Sequence, residues 1–244
     1  MATNPMHQFE VHRIGPSLSF NGMDLSFTNS SLFMLISSIL IIIFFIAGTT
    51  KVNIVPGKIQ LLNELVFNFI SKMINETVGP NARPYFPFIL TIFLFILTLN
   101  MIGLLPYAFT VTSQIIITFF LAIVIFIGVT IVGFVKNGIG FLKIFAPSGV
   151  PIFLFPIIVA IEIISFLSRP ISLSVRLFAN MLAGHTMLKV FGGFVVSLGI
   201  IGGWLPLSFS VALTALEILV AFLQAYVFAV LSCIYLNDAL NMHH

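Results

Sequence analysis

Residues 113–135 read "SQIIITFFLAIVIFIGVTIVGFV", a run of 23 positions without one charged side chain. In helical form such a run is about 35 Å long, enough to cross a hydrocarbon core of roughly 30 Å. Only a bilayer accepts a helix that is apolar all round and this long, so this stretch decides the class of the fold. Just before it, 85–105, "YFPFILTIFLFILTLNMIGLL", has the same character, and the short joint "PYAFTVT" predicts that 85–135 forms a tight two-helix hairpin. Residues 31–47, "SLFMLISSILIIIFFIA", predict a first span.

The whole composition agrees: 59% hydrophobic and 7% charged residues over 244, with a mean hydropathy of +1.19. Soluble domains carry about a quarter charged residues, so this is a polytopic membrane protein. The net charge of +3 is scattered, with no basic cluster and no aromatic-basic alternation, which excludes nucleic acid as a partner. The one cysteine, Cys233, cannot form an internal disulfide or a multi-cysteine metal site and reads as a buried small hydrophobe. Residues 1–28 hold Glu10, His12, Arg13, Pro16 and Asp24 without an apolar run, so they are expected to be a segment on the positive side of the membrane rather than a signal or transit peptide. Insertion then proceeds through the chain's own helices.

Residues 57–78 are different. Leu62, Leu65, Val66, Phe69 and Met73 keep the helical period, while Asn63, Glu64, Asn68, Lys72, Asn75 and Glu76 take the other face. The segment is bounded by Pro56-Gly57 and Gly79-Pro80 and predicts an amphipathic helix at the membrane surface, rather than a soluble connector.

The C-terminal part, 151–240, contains two apolar segments too long for an upright span. Residues 151 to about 191 give roughly 60 Å of helix and 207 to about 240 roughly 50 Å. Such helices must tilt steeply, kink or lie partly in the membrane plane. Pro156 and Pro170 are candidate bends, and "FGGFVVSLGIIGGW", 191–204, is the candidate break that makes a hairpin. The expected fold is thus an all-α polytopic membrane protein with five membrane-crossing helices plus one amphipathic interfacial helix, the last two long, strongly tilted and paired. Lys51, Lys58, Lys72, Arg83, Lys136 and Lys143 lie in two loops, which places those loops on the cytoplasmic or matrix side. Five crossings put the N-terminus on the positive side and the C-terminus on the negative side.

Six ionisable residues interrupt the last two segments: Glu162, Arg169, Arg176, His185, Lys189 and Glu217. Each costs at least about 2.5 kcal/mol at mid-membrane unless paired or hydrated, so each is a functional candidate. The bland reading is structural ion pairing between helices, with Arg169 and Lys189 snorkelling to the surface. Glu162, Arg169 and Arg176 are spaced by sevens and Asn180 follows one turn later, which makes one polar stripe. His185 lies on the opposite face of that helix. On the last helix Glu217 and Gln224 are again seven apart. A histidine and a carboxylate suit a proton relay, and an arginine, always charged, blocks one. Two proton-accepting patches flanking a fixed cation therefore suggest two half-channels with a barrier between them. No phosphate loop, dinucleotide fingerprint or zinc-protease motif is present, and Gly184-His185 has no second histidine at ligand spacing, so no cofactor or metal is expected. His243-His244 reads as a frayed terminus.

Three stretches carry a family resemblance: "RPISLSVRLFANMLAGH", "LEILVAFLQAYVFAVLSCIYLNDALN" and "NMIGLLPYAFTVTSQ" resemble the signature segments of subunit a, the proton-channel subunit of F-type ATP synthases. The likeness covers most of the chain from Phe27 onward, and "NPMHQFEV" resembles the mitochondrial and alphaproteobacterial branch. The resemblance implies that the last two helices press against the rotor ring of c subunits. It also implies that peripheral-stalk subunit b, other membrane-sector subunits and membrane lipids are partners, and that the chain itself binds no nucleotide and is not an enzyme.

By the same resemblance Arg176 matches the family's essential arginine, and Asn180 and Gln224 its polar neighbours. His185 with Glu217 matches the acid and base of the proton-uptake side, and Glu162 the carboxylate of the release side. In many bacteria the His185 and Glu217 positions carry the opposite types. Twenty-eight phenylalanines and long isoleucine runs suggest an AT-rich genome, which makes the mitochondrial inner membrane the expected location and an alphaproteobacterial plasma membrane the alternative. A proton-coupled transporter or pump subunit is the rival reading; it would hold its ion or substrate in a cage of its own side chains, and no such cage is legible.

Overall fold

A computed structural model describes residues 10–14, 19–20, 23–24, 26–50, 53–105, 108–145 and 154–240. Lys51, Pro106, Tyr107, Pro151, most of "NPMHQFEV" and His243-His244 lie outside the described residues. Among the described residues there are six α-helices: α1 Asn29–Thr49, α2 Lys58–Thr77, α3 Phe86–Gly103, α4 Ile115–Asn137, α5 Phe155–Gly202 and α6 Trp204–Leu240. Five of them, all except α2, are long and apolar enough to cross a membrane. Before α1 there is one small ladder, in which β1 (Ser19–Phe20) pairs antiparallel with β2 (Met23–Asp24).

Local chemistry fixes the helix ends. Thr28 caps α1 by accepting from the Ser31 N–H at 3.4 Å. Pro87 stands in the first turn of α3 and Pro156 in the first turn of α5, where a missing N–H removes no helical bond. Pro156 therefore starts α5 and does not bend it. Pro170 lies inside α5 without breaking its dihedrals; the one non-helical residue within the helix is Gly199, at φ 63° and ψ −160°. A left-handed φ of this kind favours glycine. The break expected within 191–204 is found there: the helix runs through Gly192-Gly193, turns at Gly199, and α6 begins at Trp204. In an apolar solvent every unpaired backbone group is costly, which keeps a helix intact across glycines that would end it in water.

Helix α6 is the centre of the packing, with α5, α3 and α4 all laid against it. The tight α3–α4 hairpin expected of 85–135 is not formed: α3 lies chiefly on α6 and α1, whereas α4 lies chiefly on α5 and α6. Single amides tie both to α6. Asn100 Nδ2 donates to the Ala221 carbonyl at 3.2 Å, and Asn137 Nδ2 donates to the Ala239 carbonyl. The 3-10 turn Val111–Ser113, which leads into α4, packs on α5 and α3.

The surface helix α2 rests on α1, α3 and α6. Its buried positions are Gln60, Asn63, Ile70, Met73 and Ile74, so the side facing the chain is rotated from the expected apolar stripe. Asn63 enters the contact with α1, donating to the Phe44 carbonyl at 3.2 Å beside Gly48. Leu62 at 51% and Leu65 at 59% exposure stay outside the chain's own core, whereas Met73 of the same stripe lies in it and Val66 packs against it. Cys233 is free and fully buried.

Candidate functional site

The two long helices run antiparallel, and three contacts set their register. Nearest the Gly199 turn, Phe191 stacks on Phe209 with centroids 5.8 Å apart. Next, His185 Nδ1 stands 3.3 Å from Glu217 Oε1. Near the other end, Arg169 Nη1 donates to Asp238 Oδ2 at 3.0 Å. Interpolated between the second and third contacts, the register puts Gln224 level with Asn180, one turn from Arg176.

His185 and Glu217 are both buried, at 6% and 5% exposure. On α5 the buried residues Leu173, Leu177, Met181 and His185 follow one another at intervals of four, and on α6 Glu217, Ala221, Ala225 and Ala229 do the same. The imidazole and carboxylate are therefore the polar end of one apolar seam. Gly184 makes their meeting sterically possible, because a methyl group there would stand 2.8 Å from Glu217 Oε1. Inside a low-dielectric seam the attraction between these groups is much stronger than in water. The chemistry available is proton exchange between a carboxylate and an imidazole held 3.3 Å apart at ion-pair distance.

Arg176 is placed differently. It is exposed, and it forms no ion pair among the described residues, unlike Lys72 with Glu76, Arg169 with Asp238 and His185 with Glu217. Ser172, Val175, Ala179 and Ala183 around it are exposed as well, which leaves a low wall of small side chains on either side of the cation. Glu162, Asn180 and Gln224 are half-buried. Glu162 is fourteen residues from Arg176, about 21 Å along the axis, and His185 is nine, about 14 Å. The structure thus joins His185 to Glu217, keeps Arg176 apart from both carboxylates, and sets Glu162 near the opposite end of α5.

Arg169 corrects the snorkelling expectation. Besides its ion pair with Asp238, its guanidinium lies 5.5 Å from the Phe166 ring centroid and 5.0 Å from that of Tyr235. It is a clasp between α5 and α6, with aromatic faces on the cation. Three residues of this region escape a reading of the sequence: Asp238, Gly184 and Asn100. An arginine in an apolar helix implies a partner on a neighbour, and Asp238 is the one acidic residue in the last turn of α6. Gly184 beside His185 is the only signal for a close approach.

Comparison with known proteins agrees with this arrangement. Residues 31–237 match the family model described as ATP synthase A chain. The chain is 69% identical over 244 residues to ATP synthase subunit a of Pelagibacter ubique (strain HTCC1062), covering 100% of both chains. It is 52% identical over 256 residues to ATP synthase subunit a of Maricaulis maris (strain MCS10), covering 99% of each. With the subunit a of Rhizobium rhizogenes (strain K84 / ATCC BAA-868) it shares 54% identity over 247 residues, covering 99% of this chain and 98% of that one. These relatives are bacterial, so they give the mitochondrial location no support. The chain belongs to the ATP synthase subunit a family.

Proposed function

We propose that this chain is the stator proton channel of an F-type ATP synthase, in which two offset half-channels deliver protons to and take them from a carboxylate on the c-subunit ring. Membership of the subunit a family supports the proton-channel role in general. The observation that carries the finer reading is the division of polar groups on α5: His185 is paired inward with Glu217, whereas Arg176 faces outward with no carboxylate partner among the described residues. An outward cation flanked by small residues suits a carboxylate presented by another subunit. At roughly 4 Å and an effective dielectric near 20, the two charges would attract by about 4 kcal/mol, enough to favour the ionised carboxylate as it passes. The same charge opposes a proton moving directly from one half-channel to the other.

In this reading protons are taken up past His185 and Glu217, on the side of the Gly199 turn, and released past Glu162 on the side of the basic loops. Asn180 and Gln224 flank Arg176. Helix α5, with about 70 Å of helix, is strongly tilted, since an upright bilayer core holds less than half that length. ATP chemistry belongs to other subunits of the complex, and the membrane is the plasma membrane of an alphaproteobacterium, in keeping with the relatives compared. The test is Glu217→Gln in the reconstituted complex: proton-driven ATP synthesis should fall at least tenfold, while ATP hydrolysis by the detached catalytic head is unchanged. Undiminished synthesis would remove Glu217 from the path.

A further inference from the structure

Asn100 is fully buried near the end of α3, and its Nδ2 is committed to the Ala221 carbonyl at 3.2 Å. That bond orients the amide, so Oδ1 is the atom left to accept, and it accepts nothing among the described residues. Ala221 lies one turn from Glu217 on the same buried face of α6, which brings the amide beside the imidazole–carboxylate pair. Both Glu217 carboxylate oxygens are likewise buried with no hydrogen-bond partner among the described residues. Thr112 Oγ1, another such atom, belongs to the turn that packs on α3 and α5. A buried acceptor left unsatisfied costs about 1–3 kcal/mol, so such atoms on elements packed against one another call for a polar guest. The guest that fits a carboxylate oxygen, an amide oxygen and a hydroxyl together is water, which bonds two to four such groups.

We propose that Asn100, with Thr112, is a positioning residue of the uptake path: Asn100 Oδ1 and Thr112 Oγ1 hold a water that bridges to the Glu217 carboxylate and hands it the proton. When the water carries an extra proton, one O–H bond of that hydronium breaks as the O–H bond on the Glu217 carboxylate forms, and neutral water remains on the amide. The inference rests on the reading that Glu217 is in the proton path.

The test uses the whole complex in proteoliposomes, with the content of this subunit checked, and compares proton-driven ATP synthesis across variants. Asn100→Leu removes the acceptor at similar volume and should lower synthesis about tenfold in assembled complex. Asn100→Asp keeps an acceptor oxygen and should retain at least half of it, whereas a purely structural tie between α3 and α6 predicts no such rescue. Thr112→Val, nearly the same shape, should lower synthesis a few-fold. Wild-type synthesis in assembled Asn100→Leu overturns the proposal, as does an equal loss in Asn100→Leu and Asn100→Asp. If Asn100→Leu does not assemble, wild-type synthesis in Thr112→Val overturns it. Glu217→Gln in parallel separates the two levels: if that variant is fully active, the reading of the uptake path itself has failed.

Discussion

The closest steric constraint on the buried pair is Gly184, and Gly184→Ala probes it with one methyl group. That methyl would stand 2.8 Å from Glu217 Oε1, 3.1 Å from its Cδ and 3.3 Å from its Cγ. Ordinary carbon contacts lie near 3.5–4.0 Å, so the carboxylate must retreat by roughly 0.5 Å or the helices must part. Retreat is confined, because Glu217 is buried at 5% exposure on the seam with Ala221. A shift of that size away from His185 would lengthen the 3.3 Å approach of the ion pair and weaken it. Stability should change little, since alanine gains up to about 1 kcal/mol of helix propensity against an overpacking penalty of about 1–3 kcal/mol. Proton transfer, however, loses its aligned partner, and a loss of about 1.4 kcal/mol in the barrier is tenfold in rate. The assay is proton-driven ATP synthesis in proteoliposomes, normalised to assembled complex and to ATP hydrolysis by the detached head. Wild-type synthesis in fully assembled Gly184→Ala would refute the argument that this glycine exists to seat the carboxylate.

Two further outcomes follow from the register of α5 and α6. The exchange His185→Glu with Glu217→His should recover part of the synthesis lost in either single change, because an acid and a base again face each other; a double variant no better than the singles would dissolve the relay. A double-mutant cycle on Arg169→Met and Asp238→Leu, read as heat stability of the detergent-solubilised complex, should give a coupling of about 1 kcal/mol for this partly exposed pair, and a coupling near zero would mean that the clasp holds nothing.

Much of this architecture can be read from the chain itself, because apolar length has one interpretation in a bilayer. The uncharged runs at 31–47, 85–105 and 113–135 became α1, α3 and α4 within a few residues. The opposite facing of Arg176 and His185 follows from nine residues of helix, and the burial of one and exposure of the other bear it out. What periodicity cannot give is which helices are neighbours. The brevity of "PYAFTVT" implied a close α3–α4 pair, yet α6 offered each of them a better partner through Asn100 and Asn137. The break expected within 191–204 came at Gly199, where the backbone takes a left-handed φ, although which of its glycines would turn was not legible. Asp238 was invisible as a partner because pairing across 69 residues of sequence depends on the antiparallel register, which only the folded hairpin fixes.

The central claim is that Arg176 is a fixed cation serving a carboxylate outside this chain, and Arg176→Ala in the reconstituted complex tests it most directly. Proton-driven ATP synthesis and ATP-driven proton pumping are measured together with the passive proton conductance of the membrane sector. The account predicts that synthesis and pumping fall below detection while conductance is held or raised, since the path remains and its barrier is gone. Synthesis retained at more than about a tenth of the wild-type rate, in complex that still contains this subunit, would contradict it.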